Sequence, residues 1–410
     1  MNVNSSLDLP RNIALVHEWF TPKSTGGAES VVKVIDDLLT EIASQPDLFS
    51  LISEENLSEN SWLFQRQVKT SFIQKLPFGI SHVQQYLPLL PYAIEQIDLE
   101  GYPLVISSSH LVAKGILTSP DQLHISYVHT PVRYAWDQMN IYLKRSFLAR
   151  IGLEPLIRWQ LHTLRQWDQL SSSRIDYLVA NSNFTARRIK KFWRRQSEVL
   201  HPPVNVDRFK WNKPREDFYL SVCRLVPNKR VDLVVRAFNK LKLPLVVVGD
   251  GVEKAYLKEI AGPTVQILGF QNQDKIEKLM SKCRAFVYAG VEDFGIAPVE
   301  AMASGAPVIA FGKGGVLDTV KCINSNSNNV ATGLLFPAQT VKSLIEAVEF
   351  FKEKQLWRNL NPELIRDWSN SFSQDSFKSR FDKTISRAWR AHINSCDIAS
   401  SDLSSSSRNS

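Results

Sequence analysis

The chain has 410 residues, 44% of them hydrophobic, and a formal charge of +8 from 49 basic and 41 acidic side chains. That length exceeds what one hydrophobic core organises, so two domains are expected, and the apolar fraction excludes wholesale disorder. No apolar run reaches the length of a membrane span, and Met1 to Pro10 lacks the basic start and apolar stretch of a signal peptide, so a cytosolic protein is expected. Cys223, Cys283, Cys322 and Cys396 have no metal-ligand spacing and read as reduced thiols. The positive balance suits a phosphate-rich partner: a nucleotide, an anionic membrane surface or nucleic acid.

Strand-like runs alternate with amphipathic segments, which favours α/β architecture with parallel sheets. The first run is Ile13 to His17. Val16-His17-Glu18-Trp19-Phe20 ends it, and Thr25-Gly26-Gly27-Ala28-Glu29 opens a helix. Gly26 and Gly27 would let backbone approach a ligand, and Glu29 suits the helix dipole, although an ordinary strand-to-helix turn reads the same way. Leu104 to Ser107, Ile125 to Val128 and Tyr177 to Ala180 continue the strand series, the second of these leading into His129-Thr130-Pro131-Val132-Arg133-Tyr134-Ala135-Trp136-Asp137. After the helix-start signal Asn181-Ser182-Asn183, six cations from Arg187 to Arg195 interleave with Ile189, Phe192 and Trp193. Such a helix fits an anionic membrane surface, or a solvated helix whose apolar face meets the core. Lys144, Arg145, Arg150 and Arg158 add a second basic stretch. No nucleic-acid recognition motif accompanies this charge, so nucleic acid is not expected as a partner.

His201-Pro202-Pro203-Val204 breaks regular structure, and Phe218 to Val222 opens a second strand series. It continues through Leu245 to Val248, Val265 to Leu268, Ala285 to Tyr288 and Val308 to Phe311. Arg224 follows the first of these strands and Lys229 comes five residues later at a helix start, a cation pair able to hold two phosphates. Val246-Val247-Val248-Gly249-Asp250-Gly251 offers a glycine turn. A dinucleotide-binding oxidoreductase would need a third glycine where this chain has Lys254, so that reading fails. In the stretch from Val291 to Gly305, Glu292 lies at a strand's C-terminal end and Glu300 just inside a helix whose first turn holds Pro298. In a parallel sheet that edge binds ligands, and the helix start offers N–H groups to a phosphate. The spacing alone also fits two solvated or helix-capping acids.

Both glutamates, Phe294-Gly295, the helix Ala301-Met302-Ala303-Ser304-Gly305 and the turn Gly314-Gly315 follow in an order that resembles the Glu-x7-Glu segment of the family-four retaining glycosyltransferases. Two α/β units in series likewise resemble that family's GT-B architecture, two Rossmann-like domains whose parallel sheets face across a cleft. The resemblance spans residues 11 to 390. It implies an acceptor-binding domain over 1–203, a nucleotide-sugar domain over 204–367 and a last helix over 368–393 crossing back to the first domain. Phe372, Phe377, Phe381 and Ile385 would form that helix's apolar face, and the Ser-rich tail over 394–410 is expected to be disordered.

What the resemblance implies for the site is specific. Arg224 and Lys229 bind the pyrophosphate, although many relatives have Gly where this chain has Arg230. Glu300 accepts hydrogen bonds from the ribose, Glu292 faces the transferred sugar, and Gly249, Phe270, Phe294, Gly295 and Ile296 border the nucleotide. Gly26 and Gly27 match the family's glycine loop, and His129 matches an active-site histidine. The string around His129 looks like a subgroup of bacterial polysaccharide mannosyltransferases, which implies mannose, with Arg133, Tyr134, Trp136 and Asp137 shaping the acceptor side. The expected activity is metal-independent, retaining transfer of a hexose, mannose from GDP-mannose, to a lipid-linked saccharide at the inner face of the plasma membrane. No cofactor is expected, since the sequence shows no Asp-x-Asp motif and no His/Cys/Asp cluster. A UDP-hexose donor and a non-catalytic sugar-nucleotide or membrane-surface binding protein are the alternatives.

Overall fold

The computed structural model describes residues 9–21, 26–54, 61–145, 149–323 and 330–406. The chain divides into two compact units, Met1–His201 with Phe377–Ser410, and Pro202–Ser376.

In the first unit the described residues form a seven-stranded, wholly parallel sheet. Its strands are β1 (Ile13–Phe20), β2 (Asp47–Ser53), β3 (Val68–Thr70), β4 (Leu104–Ser109), β5 (Leu123–Val128), β6 (Tyr177–Ala180) and β7 (Glu198–Val199), in the spatial order β3-β2-β1-β4-β5-β6-β7. Every residue of β1 is buried. Helices cover both faces of such a sheet, and the pleat sends alternate residues to each: Ile13 and Leu15 join the cluster holding Val31, Ile35 and Leu38 of the helix Gly27–Ile42, whereas Ala14 and Val16 join Ile94, Ile116 and Leu161 on the other side. The strand runs three residues past its expected end, which carries His17 and Glu18 inside the sheet. β2, β3 and β7 are additional to the strands read from sequence. In β2 a polar residue interrupts the apolar run, and its burial is tolerated because the Ser50 hydroxyl donates to the Ile52 carbonyl at 2.7 Å.

The second unit holds a six-stranded parallel sheet among its described residues. Strands β8 (Tyr219–Val222), β9 (Leu245–Val248), β10 (Val265–Gly269), β11 (Ala285–Tyr288), β12 (Val308–Phe311) and β13 (Gly333–Phe336) take the order β10-β9-β8-β11-β12-β13. Both sheets therefore reverse direction of build at their first strand. The reversal lies between β1 and β4 in one and between β8 and β11 in the other, and the C-terminal ends flanking it are where ligands bind in open α/β sheets.

The stretch expected to be one helix over 368–393 is broken. Phe372 ends a short turn, Asn370–Phe372, and belongs to the second unit's core, whereas Phe377, Phe381 and Ile385 on the helix Gln374–Ser406 pack into the first unit's core. The run Ser369-Asn370-Ser371 is poor in helix formers and favours a turn, which accounts for the break. The same helix continues through Ser406, where a disordered tail was expected. Helix propagation adds one hydrogen bond per residue fixed, so a turn already anchored by three buried aromatic and aliphatic side chains extends readily into a weak sequence.

Candidate functional site

The most polar convergence in the second unit lies at the C-terminal ends of β8 and β11. Lys229 ends the short turn Pro227–Lys229, and its ammonium lies 2.5 Å from the carboxylate of Glu292, which follows β11. The Tyr288 hydroxyl, on the last residue of β11, donates to the same carboxylate. Arg224, two residues after β8, is exposed and has no ion-pair partner among the described residues. Arg230 takes the left-handed conformation, φ +52°, so the position where relatives carry Gly keeps that backbone shape while bearing a side chain that pairs with Asp232 at 3.0 Å.

Glycines fix these two loops by close backbone approach. A Cβ on Gly249 would sit 1.8 Å from the Cys223 carbonyl oxygen, and one on Gly251 2.4 Å from that of Leu225, so the turn after β9 is pressed onto the segment bearing Arg224. Leu225 N–H donates to the Asp250 carbonyl at 2.8 Å, sealing the contact. Gly314 and Gly315 do the same for the other loop: added Cβ atoms would meet the Glu292 carbonyl oxygen at 2.5 Å and Phe294 Cα at 2.3 Å. Gly295 adopts φ +96° as the residue before the helix Ile296–Ala303, a conformation open to glycine. Phe294 is buried against Phe372 and Phe270 is exposed, so only the latter offers its ring to a ligand.

Glu300 sits one turn into that helix, where the guanidinium of Arg208 pairs with it. Burial raises the Glu300 carboxyl above its ordinary range, and Arg208 opposes the shift. Arg208 and Tyr288 were not singled out in the sequence. Arg208 lies 92 residues from its partner in an irregular segment, so no local pattern points to it.

In the first unit the polar residues gather at the ends of β1, β4 and β5. Glu18 is fully buried, and one of its oxygens accepts from the Ser109 hydroxyl at 3.0 Å and from the backbone N–H groups of His110, Leu111 and Ala113 at 2.9, 2.8 and 3.1 Å. Its other oxygen lies 3.0 Å from His110 Nδ1. Burial alone would raise this carboxyl, but His110 and the four donors hold it well below the carboxylate range, and Glu18 in turn raises His110. His129 follows β5 and its Nε2 meets the Ser108 hydroxyl at 2.8 Å. Burial, with help from His110 and His17, pushes His129 down to about 3, so it is neutral at physiological pH.

His17, Glu18 and His110 bring three potential metal-ligating atoms within 4.8 Å of one another, a grouping the sequence did not reveal because His110 is 92 residues from Glu18. His17 Nε2 is buried and has no hydrogen-bond partner among the described residues. The His17 Nδ1 facing Glu18 bonds the Ser108 carbonyl at 2.9 Å and so carries its hydrogen, and His110 is engaged by the carboxylate.

The other sequence candidates separate. Gly26 precedes the helix Gly27–Ile42, and its N–H donates to Glu29 at 2.9 Å, so Glu29 is a helix-capping acid. Thr25 lies outside the described residues. Trp136 donates to Asp168 at 2.8 Å and stacks on Phe192 at 4.7 Å, and Asp137 pairs with Arg188 at 2.9 Å. On the helix Asn183–Trp193, Ile189, Trp193 and Arg188 are buried while Arg187, Lys190 and Lys191 face out, so its apolar side belongs to the core. Cys283 is buried, which pushes its thiol up to about 12 and leaves it unreactive.

The two units with their wholly parallel sheets match the GT-B fold of α/β proteins. Solved structures share this fold: sucrose-phosphate synthase from Thermosynechococcus elongatus superposes with TM-score 0.68 at 17% identity over 93% of this chain and all of that one. Anabaena Alr3699/HepE, solved with UDP, gives 0.64 at 16% over 92% of this chain and all of that one. Residues 204–370, most of the second unit, match the family described as glycosyl transferases group 1. Among curated relatives, the alpha-1,3/1,6-mannosyltransferases ALG2 of Rhizomucor pusillus and Kluyveromyces lactis are 25% and 26% identical over 52% and 67% of this chain, which spans 58% and 63% of their lengths. A GDP-mannose-dependent alpha-mannosyltransferase of Mycobacterium tuberculosis is 26% identical over 79% of this chain and 83% of its own.

The buried histidines make stability depend on pH with a definite sign. His124, bonded to Ser107 within the sheet, is pushed by burial to about 3, as is His129, whereas the unfolded chain protonates both near 6.5. Below pH 6.5 the unfolded state therefore binds more protons, and each group removes up to about 1.4 kcal/mol of stability per pH unit. His110, raised in the native state, contributes a constant stabilisation below 6.5, and the depressed Glu18 a constant one above its unfolded value near 4.5. The melting temperature should fall steadily from pH 6.5 to pH 5 in a thermal denaturation series, and less steeply in His124→Asn. A flat profile would contradict neutral burial of these side chains.

Proposed function

We propose that the chain is a retaining hexosyltransferase that takes mannose from GDP-mannose and passes it to a lipid-linked saccharide without a metal ion. The observation that carries this reading is the Lys229–Glu292 pair beside the unpaired Arg224 at the second sheet's reversal. Two cations converging at that edge suit a diphosphate, and a carboxylate held by Tyr288 beside them suits the electron-poor carbon of a departing sugar. Arg224 and Lys229 take the leaving diphosphate's charge, Glu292 stabilises positive charge on the sugar ring, and Glu300 with Arg208 receives the ribose. His129, neutral at the first sheet's edge, serves the sugar and acceptor. The mannose donor is supported by the names of the curated relatives; UDP, the nucleotide of the HepE structure, is the competing donor.

No described helix is long and apolar enough to cross a membrane. A lipid-linked acceptor then requires surface contact, and the exposed side chains of Ile151, Leu153, Leu156 and Trp159, beside Lys144 and Arg158, form the face best suited to the inner leaflet. These exposed apolar side chains support a contact at the start of the helix Glu154–Ser172 over one on Asn183–Trp193.

In a thermal-shift panel GDP and GDP-mannose should raise the melting temperature more than the UDP and ADP counterparts. Arg224→Ala and Lys229→Ala should each weaken GDP binding about ten- to a hundredfold, the loss of one or two charge-assisted hydrogen bonds; Arg224→Ala should leave the melting point of the free protein unchanged, whereas Lys229→Ala should lower it by stranding Glu292. Parental affinity in both variants would remove the assigned site.

Transfer from GDP-α-mannose should persist in excess EDTA and yield an α-linked product by NMR. Turnover that only Mg²⁺ or Mn²⁺ restores, or a β-linked product, would overturn the mechanism.

For the membrane contact, Trp159→Ala with Leu156→Ser should reduce sedimentation with phosphatidylglycerol vesicles at both low and high salt, since an apolar contribution is not screened. If only the triple change Arg187→Gln, Lys190→Gln, Lys191→Gln has an effect, the contact lies on Asn183–Trp193. If neither does, the acceptor is not membrane-borne.

A further inference from the structure

Arg208 lies outside any helix or strand, yet its guanidinium is fixed from several sides. It pairs with Glu300 on the helix Ile296–Ala303 and lies over the Phe209 ring at 4.6 Å. The Gln273 side-chain oxygen, turned to the guanidinium, accepts from Nη1 at 3.1 Å and from Nη2 at 2.9 Å. Glu277, one turn further along the helix Gln273–Lys282, stands 3.7 Å from Nε, beyond hydrogen-bond length. We propose that Arg208 is a positioning residue for the donor's ribose, gripping one carboxylate oxygen of Glu300 and leaving the other turned to the ribose hydroxyls, an inference that rests on the ribose contact proposed above.

The two oxygens of Glu300 have different surroundings. Oε1 takes the guanidinium, whereas Oε2 has no hydrogen-bond partner among the described residues and reaches solvent. The side chain is only 19% exposed, so this one oxygen is what Glu300 offers a ligand. Ribose hydroxyls can both donate, and an ionised carboxylate only accepts, so the match requires that Glu300 stay charged and keep this orientation.

Arg208 supplies both conditions without touching the sugar. Nη2 is shared between Glu300 and Gln273, Nη1 serves Gln273, and Nε is buried with no hydrogen-bond partner among the described residues. A hydroxyl seeking an acceptor finds it on Glu300, so Arg208 acts through that carboxylate. Burial raises the Glu300 carboxyl, Arg208 opposes that rise, and Glu277 on the neighbouring helix adds to it. Removing Arg208 therefore lets Glu300 take up a proton at a higher pH, and the protonated acid loses part of its accepting capacity. A lysine at this position could supply the charge but not the fork that meets Gln273 and Glu300 together.

Calorimetric titration of the full chain with GDP, UDP and their 2′,3′-dideoxy analogues, which lack both hydroxyls, tests this. Each pair shares its base and diphosphate, so the ratio of its two dissociation constants isolates the ribose contact and cancels titration of the phosphates. At pH 8 the parent should bind the ribonucleotide about tenfold or more tighter than its dideoxy analogue. Arg208→Gln should cut that ratio about threefold or more while leaving dideoxy binding within about twofold of the parent, because only the contact through Glu300 is lost. What remains of the ratio should vanish at a higher pH in Arg208→Gln than in the parent, whereas Arg208→Lys should keep the parent's pH dependence with a reduced ratio. A structural role alone would weaken both members of a pair alike. That outcome, or a ratio and pH dependence unchanged in Arg208→Gln, would overturn the positioning role and leave the Glu300 contact standing. A parent chain that binds both members of each pair equally would sink the ribose contact itself, and this role with it. Arg208-dependent discrimination within the uridine pair alone would keep the role while overturning GDP-mannose as the donor.

Discussion

The ion pair between Lys229 and Glu292 joins loops that leave two neighbouring parallel strands at the point where the sheet reverses its order of build. Two half-buried opposite charges stabilise each other chiefly because either alone would be left poorly solvated. In the proposed reaction the pair cannot stay as it is. A diphosphate competes for Lys229, and whatever share of that ammonium it takes leaves Glu292 with Tyr288 alone and free to face the sugar. Donor binding and the exposure of the carboxylate then become one event, which ties the charge near the reacting carbon to the presence of substrate.

Backbone proximity holds the two loops in place. Gly249 and Gly251 bring one turn against the Arg224 segment, and Gly314 and Gly315 bring another against Glu292 and Phe294, at separations no Cβ would allow. This explains why the glycine motifs were legible in the sequence while their purpose was not. Gly249-Asp250-Gly251 reads as a glycine turn bordering a nucleotide, yet its tightest contacts are with the protein's own carbonyls. The positions of Arg224, Lys229, Glu292 and Glu300 were legible because each follows a strand or opens a helix, where local pattern and chemistry coincide. Arg208 was not, because it sits in irregular chain and meets Glu300 only through tertiary packing.

The first unit shows the same limit more sharply. Glu18 looked like the polar end of a strand, whereas it is buried and acts as an internal anion that gathers the N–H groups of His110, Leu111 and Ala113. A carboxylate with four donors on one oxygen fixes the loop after β4 as firmly as a bound ion would. It also raises His110 while burial lowers His129, so two histidines at one edge are shifted in opposite directions. Nothing in the spacing of residues 17, 110 and 129 announces this, since parallel strands bring their ends together across long stretches of chain. The helix Asn183–Trp193 reads from sequence either as a membrane-surface helix or as one whose apolar face meets the core, and packing adds what the pattern did not, that Arg188 turns inward with Ile189 and Trp193.

The two sheets reuse one topology with different electrostatics. At the second reversal Arg224 and Lys229 follow the strand end and suit a phosphorylated donor in the proposed reaction. At the first, the edge is organised by the buried carboxylate of Glu18, which is spent on the N–H groups after β4 and on His110, so there the charge serves the fold itself.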